Sequence, residues 1–240
     1  MKALWRPRHR SALVGLIVGI GVELLLGGTV SAAQSTPLGG THSTLSATQL
    51  PPLPSASASM TVWKAWAQSQ RDAIESQPYV EMLASQGLVL RRLFFVNVTN
   101  APGIPAGVST VAAVVIASSQ PSATGASPAQ AVSPNTTDFN CSGFPNGLGS
   151  ACIYASNASG GLEWEASSEL YVATTGKLNL GDGGCPGQQD VVTSGLLSVA
   201  AYETVQIYYG PVYFDQTWDS RWWDDSTGTY RSWGYACLTE

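Results

Sequence analysis

Charge is scarce in this chain. Asp, Glu, Lys and Arg make up 11% of its 240 residues, against roughly a quarter in a typical soluble domain. Histidine occurs only as His9 and His42, so a Ser-His-Asp relay and a His-rich metal centre are nearly excluded. No C-x-x-C pair is present to suggest a zinc site. No phosphate loop of the G-x-x-x-x-G-K-[ST] type occurs, and Gly181-Asp182-Gly183 lacks the later glycine of a dinucleotide site. No internal repeat is visible. Neither a cofactor nor a metal is expected. A loose calcium site at Asp215, Asp219, Asp224 and Asp225 is the one alternative, and it lacks the spacing of a helix-loop-helix calcium motif.

The N-terminus carries what the rest lacks. Lys2, Arg6, Arg8 and Arg10 precede an apolar run over 12–22, and Ser31-Ala32-Ala33 offers small residues for cleavage. Glu23 interrupts the run before it reaches the roughly 20 residues needed to cross a bilayer. Residues 1–33 therefore read as a signal peptide, with an uncleaved anchor as the alternative. The expected location is secreted, extracellular or in the cell envelope, with no membrane span once the signal is cleaved.

Without those residues the chain holds 7 basic and 15 acidic side chains, a net charge near −8. From Asp138 onward the counts are 3 and 12. Such a surface repels phosphate backbones, so nucleic acid is not an expected partner. An exported, charge-poor, acidic protein suits an acidic medium, where few carboxylates need protonating.

Composition divides the remainder. Residues 34–59 are rich in Ser, Thr, Ala and Pro and read as a disordered stalk. Residues 60–119 read as a small α+β segment. Trp63, Trp66, Ala67, Gln70, Ala73 and Ile74 recur on one helical face; Gln77-Pro78 breaks the helix and Gly87 ends its second part. Strands follow at 88–99 and 108–117, around a turn at Ala101-Pro102-Gly103. Residues 120–137, again rich in Pro, Ser and Ala, read as a linker, or as a long loop inside one domain.

Residues 138–240 read as an antiparallel β-sandwich stapled by disulfides, so the fold class is mainly β. Over 162–173 the residues alternate: Leu162, Trp164, Ala166, Leu170 and Val172 on one side, Glu163, Glu165, Ser167, Glu169 and Tyr171 on the other. Over 199–209 the apolar side holds Val199, Val205, Ile207 and Tyr209, interrupted by Glu203. A closing strand is expected at 229–238. Four cysteines in an exported chain imply two disulfides with three possible connectivities. Cys141–Cys152 and Cys185–Cys237 are favoured, because a Pro-Asn-Gly turn separates the first pair and the second ties a turn to the last strand. Loop closure assigns ~3 and ~4 kcal/mol to them.

Eleven aromatic residues fall between Tyr202 and Tyr235, interleaved with Asp215, Asp219, Asp224 and Asp225. Flat rings beside carboxylates suit a sugar. Trp218, Trp222, Trp223, Asp224 and Asp225, with Tyr208 from the 199–209 strand, form the expected ligand-binding set; packing into the core is the competing reading. The expected function is non-catalytic binding of a polysaccharide, cell-wall glycan or other cell-surface component. Two alternatives stand beside it: a secreted, acid-adapted hydrolase using paired carboxylates, and a structural envelope protein. For catalysis Glu163 and Glu165 lie ~6.6–6.8 Å apart along one strand face, although a solvated face explains them more simply. Glu203, on an apolar face, is the better candidate for a raised pKa. Gln188, Gln189 or Gln206 could pair with a glutamate as in glutamine-plus-glutamate acid proteases, but no motif of that family occurs.

Overall fold

The computed structural model describes residues 50–119, 136–158, 161–212 and 217–239. Residues 1–33, read as a signal peptide, lie outside them, as do residues 34–49 of the expected stalk, residues 120–135 of the expected linker, and Tyr213, Phe214 and Asp215. Among the described residues no helix is long and apolar enough to cross a membrane.

Helix α1 (Met60–Glu75) starts where the Ser59 hydroxyl accepts a hydrogen bond from the Val62 amide, as an N-cap should. Its buried face holds the six residues of the helical pattern. Helix α2 (Tyr79–Ser85) begins after Pro78 and is followed by Gly87 at φ +72°, the left-handed region that favours glycine. Residues 50–59 depart from the stalk reading. Leu50 is buried, Leu53 packs against the core, and the Trp66 indole donates to the Pro51 carbonyl at 3.2 Å. Two leucines and an indole anchor are enough to hold this short stretch down.

Eleven strands follow: β1 (Leu88–Thr99), β2 (Ser109–Ser119), β3 (Thr136–Gly143), β4 (Gly149–Ala158), β5 (Gly161–Leu170), β6 (Thr174–Asp182), β7 (Gln189–Thr193), β8 (Leu197–Val199), β9 (Glu203–Val212), β10 (Thr217–Asp224) and β11 (Arg231–Thr239). They form a six-stranded sheet, β1-β2-β9-β5-β4-β3, and a five-stranded sheet, β11-β10-β6-β7 with β8 on β6. Every pairing is antiparallel.

The two sheets form a β-sandwich, and its core is aromatic. Trp164 of β5 stacks on Trp218 of β10, with centroids 5.5 Å apart and planes at 19°. Tyr209 of β9 packs beside Trp218 at 6.4 Å. Trp222 is admitted by Gly176, where a Cβ would lie 2.6 Å from the indole. A second apolar layer covers the other face of the six-stranded sheet: Ile74, Tyr79 and Leu83 of the helical region pack on Val111, Ala113, Val115 and Ala117 of β2.

The α+β segment is therefore not separate from the sandwich. Strand β2 pairs with β9 from Ala113↔Tyr208 to Ser118↔Glu203. Gln70, fully buried in α1, donates to the Val111 and Gly210 carbonyls (2.8 and 3.0 Å) and accepts from the Val111 amide (3.0 Å). One side chain thus joins helix, β2 and β9.

Both favoured disulfides are present. Cys141 and Cys152 face each other across β3 and β4, with Cα atoms 4.1 Å apart. Cys185–Cys237, with Cα atoms 5.7 Å apart, fastens the 183–188 turn to β11.

Two outcomes follow. Truncating Trp218 to Ala removes the ring between the sheets and should cost about 3–5 kcal/mol in denaturant unfolding. The oxidised fragment 138–240 loses β1, β2 and both helices, exposing β9 as an apolar edge. It should show no cooperative thermal transition, and a sharp one would refute the single-body architecture.

Candidate active site on the helix-side face

The six-stranded sheet has one face in the sandwich core and one toward the helices. Ladder register sets the second face in rows. Phe95, Ala113, Tyr208, Glu165, Tyr154 and Phe139 occupy successive strands in one row. Leu93, Val115, Gln206, Ser167, Cys152 and Cys141 form the next. Each row begins apolar under the helices and becomes polar toward β5 and β4.

Glu165 lies among aromatic rings. Tyr79 of α2 packs on Tyr208 at 5.7 Å, and Phe139 stacks on Tyr154 at 5.9 Å. Glu165 is 8% exposed. Its Oε1 accepts from Gln206 Nε2 at 2.9 Å, and that nitrogen is 3.2 Å from Gln86 Oε1 at the end of α2. Tyr208 donates its hydroxyl to Gln206 Oε1 at 3.1 Å. The chain Tyr208–Gln206–Glu165 fixes which way the amide points.

Burial pushes the Glu165 carboxyl up to about 8, with the Glu163 charge adding to the rise and the Gln206 hydrogen bond opposing it. Glu163, half-buried two residues away, is pushed to about 7 by burial, with the neighbouring Gln77 side chain opposing the rise. Glu169, half-buried on the same strand face, is also raised by burial. Burial and these carboxylates together raise Tyr154, Tyr79 and Tyr208. No lysine or arginine contributes to any of these shifts.

The solvated-face reading of Glu163 and Glu165 is thus corrected. Alternation places them together on one face, and the aromatic row and α2 then cover Glu165 and part of Glu163. Of the three glutamines, Gln206 reaches Glu165. Gln188 and Gln189 lie by the 183–188 turn, where the Gln189 amide donates to the Asn100 carbonyl at 3.3 Å. Glu203 is corrected too. It does not intrude on an apolar strand face: β9 begins at Glu203 after a turn through Tyr202 (φ +62°), and the carboxylate accepts from the Ala200 amide at 2.8 Å.

The aromatic ligand set is dispersed. Residues 217–224 are an interior strand, not an exposed loop, and Trp218 and Trp222 are wholly buried between the sheets. The period-two spacing Trp218, Ser220, Trp222 carried that information. The interleaved aspartates do not force the strand into water, because Asp219 and Asp224 find donors among neighbouring side chains. Asp219 takes two bonds from Arg221, at 3.0 and 2.6 Å; Asp224 accepts from Thr174 and from Ser226 at 2.9 Å. Asp225 is half-buried at the strand end, and its amide donates to the Thr175 carbonyl at 2.7 Å. Tyr208 joins the glutamate network and is covered. Of the three tryptophans Trp223 alone keeps partial exposure, on the outer face of the five-stranded sheet.

Sequence reasoning missed Gln77, Tyr79, Gln86 and Tyr154. Only Gln77, beside Pro78, carried any local signal, and that concerned the helix break. Among the described residues no group of three or more metal-ligating side chains converges. The chain matches no protein-family model, no curated protein and no solved structure.

The carboxyl pair links stability to pH with a definite sign. Its folded pKa values lie above the ordinary 4.5, so the folded state keeps protons that the unfolded chain has lost. Stability is greatest below about pH 4.5 and falls as pH rises toward 7 and 8. The fall should be on the order of several kcal/mol. Denaturant midpoints measured from pH 4 to pH 8.5 should show it, and Glu165→Gln should remove most of it.

Proposed function

We propose that the protein is an exported hydrolase in which Glu163, Glu165 and Gln206 act together on an acyl bond, a peptide bond being the natural substrate. The observation that carries this is the side-chain amide of Gln206 held 2.9 Å from the buried Glu165 carboxyl, with Glu163 beside it on the same strand face.

The roles follow from the groups. With one proton shared, the carboxylate of the pair takes a proton from an attacking water and the carboxylic acid supplies one to the leaving nitrogen. Glu163, the more exposed, suits the first task and Glu165 the second. Gln206 Nε2, released from Gln86, donates to the carbonyl oxygen as it gains charge. Approach runs along β3, β4 and β5, where Phe139, Ser156, Glu163 and Glu169 keep part of their surface in solvent.

Glycoside hydrolysis uses this set less fully. It needs carboxyls on opposite sides of the scissile bond, whereas these two project from one strand in the same direction, and it gives the amide no task. Two disulfides fit an oxidising compartment outside the cytosol. Acid adaptation, in this reading, resides in stability: carboxyls buried in their neutral form favour the fold at low pH.

A mixed-sequence quenched-fluorescence peptide library, incubated with the full exported chain from pH 4 to pH 9, tests the reading. Cleavage should follow a bell with limbs near 7 and 8, the values to which the pair is pushed. Glu165→Gln should lower the rate by about 10²–10⁴-fold, and Gln206→Ala by about 10²–10³-fold. Full activity in a folded Glu165→Gln variant would sink the mechanism.

A further inference from the structure

Beyond the glutamates the helix-side face continues onto β4 and β3, past the strands on which the helices chiefly pack. Ala151, Ile153 and Ala155 of β4 enter the sandwich core. Alternation therefore puts Ser150, Cys152, Tyr154 and Ser156 on the same face as Glu163 and Glu165. Phe139 and Cys141 of β3 stand opposite Tyr154 and Cys152. These side chains are aromatic rings, a disulfide and serine hydroxyls, with no charge among them. From Thr136 to Leu170 the chain has no lysine or arginine.

Phe139 is 49% exposed, while Tyr154 beside it is 7% exposed. The two rings lie within 21° of parallel, and the Tyr154 hydroxyl is 3.9 Å from Cys141 Sγ. Sulfur and rings together make an apolar shelf, bounded by the half-buried Ser156 and Glu163. An apolar ring left half in water gains free energy when another group covers it. Strands lie about 4.8 Å apart, so the shelf runs from about 5 to about 10 Å from Glu165 along their shared row. An extended peptide advances about 3.4 Å per residue. A substrate whose scissile bond lies at the carboxyls, and whose chain crosses β4 toward β3, thus sets a side chain on the shelf within about three residues of that bond.

We infer that Phe139, backed by Tyr154 and the Cys141–Cys152 disulfide, selects peptide substrates by taking an aromatic side chain. The inference rests on the hydrolase reading and adds its substrate class: extended polypeptide with an aromatic residue near the bond that is cut. Aromatic side chains rank above aliphatic ones, because paired rings gain more than their buried area alone. Acidic side chains rank last. Glu163, Glu165 and Glu169 stand along the neighbouring strand, and no cation from Thr136 to Leu170 offsets them.

Quenched-fluorescence peptides of serine and alanine, each with one central Phe, Leu, Lys, Asp or Ala, test this on the full exported chain. The Phe peptide should exceed the Ala peptide in kcat/KM by about tenfold or more, with the Asp peptide lowest. Mass spectrometry should place the cut within about three residues of the Phe. Phe139→Ala should cost the Phe peptide about tenfold and leave the Ala peptide nearly unchanged; Phe139→Tyr should keep the preference. Thermal unfolding identifies a variant that fails to fold. Phe139→Leu, which keeps an apolar side chain, then carries the test by lowering the Phe-to-Leu ratio several-fold. Cleavage that Glu165→Gln abolishes, but that ignores the Phe or Phe139→Ala, overturns the shelf and leaves the hydrolase standing. A preference for Lys or Asp overturns it too. If no peptide is cut, the hydrolase reading fails, and fluorescence anisotropy of the same peptides, labelled, decides the shelf: binding that favours Phe and is lost in Phe139→Ala upholds it, and equal binding overturns it.

Discussion

Strand β9 is buried on both faces, and the rest of the structure depends on that. Val205, Ile207 and Tyr209 point into the sandwich, while Thr204, Gln206 and Tyr208 point toward the helical layer. A strand so placed cannot leave its backbone groups unpaired away from water. Strands β2 and β5 must flank it, and β2 must come from the N-terminal segment. Gln70 secures the same junction from above by bonding Val111 and Gly210. The N-terminal hairpin and helices are structural members of the sandwich because β9 has no other way to be satisfied.

The same constraint produces the glutamate network. Once helices cover β2 and β9, any polar residue on that face must find a partner or become neutral. Gln206 and Tyr208 find each other and Glu165; Glu165 and Glu163 are left with amides and no cation. Raised carboxyls are therefore a consequence of where the helical layer stops, between an apolar β2 and a polar β5. Catalysis and acid stability, as proposed, draw on one cause: a carboxyl that prefers its proton is both a proton donor and a tolerated core group.

The aromatic wealth of the C-terminal region serves mainly to fill space. Trp164, Trp218, Trp222 and Tyr209 are large enough to span the gap between the sheets with few residues. Gly176 makes room for this on the neighbouring strand β6, where any side chain would collide with Trp222. Asp219 and Arg221 lie outside this layer and pin the 183–188 turn, with Arg221 donating to the Gly187 carbonyl at 2.9 Å. Charges next to tryptophans thus marked a strand with two different faces.

Sequence alone determined the elements whose signals are local. Helix α1 with its six buried residues, the break at Pro78, the stop at Gly87, strands β1, β2 and β11 and the alternation of β5 were legible, because capping, backbone restriction and period-two patterning act over a few residues; the disulfide pairing was favoured but stayed open among three connectivities. Tertiary structure decided what depends on neighbours distant in sequence. Whether the Glu163–Glu165 face is wet or dry is set by residues 79–86. Which glutamine meets Glu165 is set by the β5–β9 register, 41 residues away. Whether Trp218 meets water or Trp164 is set by the packing of two sheets. Periodicity tells a residue which side of its strand it occupies; only the assembled layers say what lies on that side.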